Sequence, residues 1–143
     1  YLWWNDIVEE VALGYGIDNL KPAWPASVHI GEKNATSEKL DSISRLMTGL
    51  GFMETLNSTL TSEQILYEMT NRDSSQIISV ASSKSQEHTI LRDSILPGLL
   101  ENLSKNIHET YPQKFFESGI VFSKGSPIKE TTNLACVSAS EET

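Results

Sequence analysis

A chain of 143 residues with 38% apolar content carries enough for one core of ordinary size and too little for two large domains. Nineteen acidic residues against eleven basic ones give a formal charge of −8, which disfavours generic binding to a phosphate backbone by the chain as a whole. The single cysteine, Cys136, cannot close an internal disulfide, no apolar run approaches the roughly 20 residues of a membrane-spanning helix, and the opening Tyr1-Leu2-Trp3-Trp4 has no leader pattern, so the expected setting is soluble and cytoplasmic.

From Asn5, a candidate N-cap, the apolar residues Ile7, Val8, Val11, Ala12 and Tyr15 recur at helical spacing, and Gly14 or Gly16 stops the pattern. Pro22 and Pro25 then enforce an extended connector, which places a boundary near Pro25. Ser37 opens a second helix whose stripe is Leu40, Ile43, Leu46, Met47 and Leu50, closed by Gly49 and Gly51. Phe52 to Leu60 has the loose alternation of a half-exposed strand, Ser62 caps a short turn through Ile65, Leu66 and Met69, and Gln76 to Ala81 reads as another strand. Pro97 fits the first turn of a helix running to about His108. Phe115 to Phe122 and Leu134 to Ala139 complete the pattern as two strands joined by a polar loop with Gly125 and Pro127. Helices and strands do not alternate as in a parallel βαβ sheet, so the expected class is α+β, an antiparallel sheet with packed helices.

The catalytic candidates are sparse. His29, His88 and His108 are scattered, there is no Gly-x-Ser-x-Gly elbow or glycine-rich phosphate loop, and Cys136 within an apolar pattern reads as a small buried hydrophobe. Asp6, Glu9 and Glu10, at spacings of three and four, put carboxylates on one face of the first helix. Such oxygens suit a hard cation such as Mg2+, and equally suit the positive end of a helix facing solvent. A small Mg2+-dependent phosphate-handling enzyme and a stand-alone interaction module are both compatible with these features.

Asp6-Ile7-Val8-Glu9-Glu10-Val11-Ala12 with Gly14-Tyr15-Gly16-Ile17-Asp18-Asn19-Leu20-Lys21-Pro22 resembles a stretch of the phenylalanyl-tRNA synthetase β subunit. So do Leu50-Gly51-Phe52-Met53-Glu54-Thr55, the block Leu91-Arg92-Asp93-Ser94-Ile95-Leu96-Pro97-Gly98-Leu99-Leu100, and Asn106 followed by Phe115-Phe116-Glu117-Ser118-Gly119-Ile120-Val121-Phe122. Four blocks in one order are specific, and Pro112-Gln113-Lys114-Phe115-Phe116-Glu117 is similar to the archaeal and eukaryotic type. The resemblance implies a fragment, incomplete at both ends: residues 1–25 as the tail of a helix-turn-helix-like domain, residues 26–143 as the front of a non-catalytic class II aminoacyl-tRNA synthetase-like domain. It implies docking to an α subunit, in a heterotetramer of two α and two β subunits, that charges tRNA(Phe) with phenylalanine using ATP. It also implies that Asp6, Glu9 and Glu10 help hold a Mg2+ shared with the α subunit. Active members follow their last quoted strand with an Arg that grips ATP, whereas Phe122 is followed by Ser123-Lys124-Gly125, so no catalytic or ATP-binding residue is expected in this chain.

Overall fold

The computed structural model describes residues 3–26, 30–81, 85 and 87–141. The chain divides into two compact units, Tyr1–Glu32 and Lys33–Thr143.

In the first unit, α1 spans Trp4–Tyr15 and a 3-10 turn follows at Ile17–Asn19. The helix begins ahead of Asn5, because the Asp6 carboxylate accepts from the backbone N–H of Trp3 at 3.2 Å and satisfies a donor that the first turn leaves unpaired. Gly16 closes it, its N–H donating to the carbonyls of Ala12 and Leu13.

The second unit starts with α2, Ala35–Gly49. Asn34 caps it rather than Ser37: the Asn34 side chain accepts from the Ser37 N–H at 2.8 Å, which makes Ser37 the third helical residue. At the other end Gly51 adopts φ +83°, and the N–H groups of Gly51 and Phe52 donate to the carbonyls of Thr48 and Met47. That 6→1, 5→2 pairing needs a left-handed residue, and Gly supplies it without a Cβ clash.

The expected strand from Phe52 to Leu60 is broken into β1, Met53–Glu54, and β2, Leu60–Thr61, which belong to different sheets. Gln64–Glu68 forms one π-type turn, with Met69 N–H donating to the Gln64 carbonyl, and the Ser62 hydroxyl accepts from Ile65 N–H at 3.3 Å as expected of a cap. β3, Ile90–Leu91, is antiparallel to β2, and the expected strand from Gln76 reduces to a bridge between Ser79 and Ile90. α3 spans Leu96–Lys105, β4 Gln113–Ser123 and β5 Lys129–Ala139. α3 ends ahead of His108, because Asn106 takes a non-helical conformation, its N–H closing on the carbonyls of Asn102 and Leu103.

The main sheet has the order β1-β4-β5. β4 and β5 pair antiparallel along their full length, while β1 joins β4 in parallel, Met53 opposite Phe115. The sheet is therefore mixed where a purely antiparallel one was expected, and the reason is the long excursion through β2, β3 and α3 that separates β1 from β4. Ile95 and Leu99 pack with Val121, Phe115, Ala135 and Val137, so α3 covers the face that holds the odd-numbered residues of both strands. A second cluster of Leu66, Tyr67 and Ile90, with Ile77 against it, fills the space under the smaller sheet. Cys136 is exposed, contrary to expectation: strand alternation sends its neighbours Ala135 and Val137 to the α3 face and Cys136 to the other.

Candidate functional site

The resembling blocks meet at a buried ion pair. Arg92, one residue past β3, reaches Glu117 in the middle of β4 at 2.6 Å, with the two side chains 6% and 0% exposed. Arg92 Nε also donates to the Ile120 carbonyl at 3.0 Å, and Asn57 Nδ2 donates to the second Glu117 oxygen at 2.7 Å. The backbone of Arg92 is fixed as well, its N–H donating to Thr59 and its carbonyl accepting from Phe122 N–H at 2.9 Å. Gly119 makes room for this, because a Cβ there would overlap the Arg92 guanidinium. Both charges are compensated and desolvated, so the pair pins β3, the loop after β1 and β4 together.

Next to it, Asp93 takes a bidentate pair from Arg72 at 2.9 Å for each bond and a hydrogen bond from the Tyr67 hydroxyl at 3.1 Å. The Arg72 guanidinium lies 5.4 Å from the Tyr67 ring centroid. Burial, then the Asp93 carboxylate, push the Tyr67 hydroxyl from 10.0 up to about 12. A pKa raised on folding means that the native state holds the proton longer, so this stabilisation is complete below pH 10 and fades as pH rises towards 12. The wild-type chain should lose stability to urea across that window more steeply than Tyr67→Phe, and parallel pH profiles of the two would show that Tyr67 is not the titrating group.

A cavity of about 320 Å³ between the smaller sheet and the start of α3 has Asn57, Thr61, His88, Arg92, Gly98 and Lys105 on its wall. Its cations are engaged: Arg92 by Glu117, and Lys105 by Glu101 at 2.6 Å. His88 Nδ1 lies 3.1 Å from the Leu60 carbonyl, His108 is exposed, and His29 lies outside the described residues. The Lys124 ammonium, just past the end of β4, donates to the Ser75 carbonyl at 2.9 Å.

Asp6, Glu9 and Glu10 stand on α1, but they do not converge. Asp6 turns back to the N–H of Trp3, and neighbouring helical residues such as Glu9 and Glu10 diverge by about 100° around the axis. Among the described residues no three or more His, Cys, Asp or Glu side chains gather closely enough to hold a metal ion. On their own these carboxylates do not fit a Mg2+ shell.

The apolar stripe of α2 divides. Met47 is buried and Leu40 and Ile43 are partly buried, whereas Leu46 and Leu50 are 63% and 58% exposed. Asn57 was missed in the sequence because a lone Asn in a Thr- and Ser-rich stretch carries no local signal of a buried acidic partner 60 residues away.

Residues 22–143 match the family model described as the phenylalanyl tRNA synthetase beta chain CLM domain. A phenylalanine–tRNA ligase beta subunit of Methanothrix thermoacetophila is 40% identical over 120 residues, covering 84% of this chain and 22% of that one. Another, of Methanocaldococcus jannaschii, is 40% identical over 114 residues, 80% of this chain and 21% of that one. The chain thus spans about a fifth of the length of the curated relatives it matches. Among solved structures, pyrrolysyl-tRNA synthetase from Desulfitobacterium hafniense superposes with a TM-score of 0.55 over 70% of this chain and 38% of that one, at 19% identity, a likeness of fold.

Proposed function

We propose, on the premise that the chain belongs to the phenylalanyl-tRNA synthetase β-chain CLM-domain family, that it is a non-catalytic, class II-like part of such a β subunit and serves phenylalanine–tRNA ligase by docking against the α subunit. The observation that carries this reading is the family match over residues 22–143. The geometry supports it in two ways. The residues that the family blocks bring together are used internally, as the Arg92–Glu117 pair is, and the place of an ATP-gripping Arg holds Ser123 and a Lys124 already bound to a backbone carbonyl. A Lys ammonium would in any case lack the bidentate fork that positions a phosphate.

On the same reading, residues 1–25 are the tail of a helix-turn-helix-like domain and residues 26–143 the front of the catalytic-like domain. The separate unit Lys33–Thr143 supports that division. Asp6, Glu9 and Glu10 would then be this chain's share of a Mg2+ shell, completed by groups outside it, and no step of the reading depends on that ion. ATP, phenylalanine and tRNA(Phe) are substrates of the assembled ligase, two α with two β subunits, in the cytoplasm.

Phenylalanine-dependent exchange of pyrophosphate into ATP is the test. Phosphate displacement relies on positioned charges, and their loss removes orders of magnitude in rate. The chain alone should show background exchange only, and exchange above background without an α subunit would overturn the reading.

A further inference from the structure

β5 borders the main sheet, and the hydrogen bonds of β4 show which of its main-chain groups face outward. Thr55 N–H donates to the Phe116 carbonyl at 2.8 Å, Arg92 Nε to the Ile120 carbonyl at 3.0 Å, and Phe122 N–H to the Arg92 carbonyl at 2.9 Å. Even-numbered residues of β4 therefore turn their main chain away from β5, and odd-numbered ones bond to it. Because the register sets Glu117 opposite Ala135 and Val121 opposite Thr131, β5 spends its odd-numbered residues on β4. Its even-numbered residues, Glu130, Thr132, Leu134, Cys136 and Ser138, direct N–H and C=O out of the edge of the sheet, and among the described residues nothing pairs with them.

Such an edge invites another strand, and the usual protections are missing along most of it. The β4–β5 register runs without a bulge, no proline lies between Lys129 and Ala139, and charge is confined to Lys129 and Glu130 at one end. A second copy of the same strand fits this edge. With a two-fold axis at Leu134, two antiparallel β5 strands overlap over their whole length, and Thr132 meets Cys136, Glu130 meets Ser138 and Lys129 meets Ala139. No like charges are opposed, because the charged end of each strand lies against an uncharged end of the other. Every even-numbered residue then exchanges both of its bonds with its opposite, about ten in all, which is the number that a typical stable interface carries. The same pairing brings Leu134, 46% exposed in a single copy, against its counterpart on the face away from α3. We propose that two copies of this chain associate through β5, forming one continuous sheet of order β1-β4-β5-β5-β4-β1. The inference rests on this edge alone and is independent of docking to an α subunit.

The test is sedimentation equilibrium of the whole chain at physiological ionic strength, which screens the repulsion between two copies of charge −8. Wild type should be dimeric at about 100 μM. Leu134→Lys sets two like charges opposite each other at the axis and should raise the dissociation constant about a hundredfold. Its circular dichroism should stay native, since that side chain is already half-exposed. A second variant reads the register and keeps the proposal falsifiable if Leu134→Lys disturbs the sheet. Thr132→Cys places a thiol opposite the native Cys136 of the other copy, with about 5.5 Å between Cα atoms, so oxidised glutathione should link the two copies covalently. Wild type should stay unlinked, because its two Cys136 residues lie about 14 Å apart along the paired strands. A wild-type chain that is monomeric at about 100 μM would overturn the proposal, as would Leu134→Lys dimerising as tightly as wild type. Failure of Thr132→Cys to give a covalent dimer, or an equal yield of one from wild type, would overturn the pairing about Leu134.

Discussion

Glu117→Ala should destabilise the chain by about 3–5 kcal/mol, because it leaves the Arg92 guanidinium buried with its charge uncompensated. Against a total stability of about 5–15 kcal/mol for an ordinary domain, that is enough to leave a large unfolded fraction. The effect exceeds the loss of one hydrogen bond, since Asn57 Nδ2 is orphaned by the same change. Arg92→Met with Glu117→Leu should be milder than either single change, because it removes both charges and leaves an apolar core of similar volume. Urea midpoints of the single and double variants decide the matter: Glu117→Ala as stable as wild type would mean that Arg92 finds water when Glu117 is gone, and that the pair does not pin β3 to β4.

Leu99→Ala comes next, at about 2–5 kcal/mol. Leu99 is fully buried in the middle of α3, against Val121 and the odd-numbered face of β4 and β5. Leu99 is fully buried among Ile95, Val121, Phe115, Ala135 and Val137, so the upper half of that range is expected. Calorimetry should show the transition lowered while helical circular dichroism at low temperature stays native. A change below 1 kcal/mol by the same measurement would show that α3 settles onto the sheet and closes the gap.

Local signals carried the helices well. Pro97 in a first turn, Gly51 after a stripe, and the three-four spacing of Leu40, Ile43 and Met47 each reflect chemistry within a few residues, and the observed α2 and α3 follow them. The strands were legible only where they are long. β4 and β5 exceed their expected ranges, since main-chain pairing extends through polar residues such as Glu130 and Thr131 that the apolar pattern does not mark. β1, β2 and β3 have two residues each, too short for any period, and are set by their partners. The parallel placement of β1 depends on the long connection through β2, β3 and α3, and the bare position of Cys136 on which face α3 covers. As for the site, Arg92 and Glu117 were visible as words of a family motif, but their contact was not: it joins residues 25 positions apart through Gly119, whose missing Cβ is what lets the guanidinium in. Asp6, Glu9 and Glu10 show the converse. Among the described residues no three such side chains gather closely enough to hold a metal ion, and the Asp6 carboxylate accepts from the Trp3 N–H, neither of which spacing alone can reveal.

We propose that the docking against an α subunit uses the exposed side of the α2 stripe, Leu46 and Leu50, and Leu46 is where that proposal can be tested alone. Leu46 is 63% exposed, so it adds little to the fold, while Leu40 on the same stripe is partly buried. The measurement is the affinity of a full-length β subunit carrying this sequence for its α subunit, with Leu46→Ala or Leu40→Ala, alongside the melting temperature of each. An interface anchor is worth about 2 kcal/mol or more, so Leu46→Ala should raise Kd about thirtyfold with the melting temperature nearly unmoved, and Leu40→Ala should lower the melting temperature first. A Leu46→Ala subunit that melts early yet binds α with unchanged affinity per folded molecule would contradict the account.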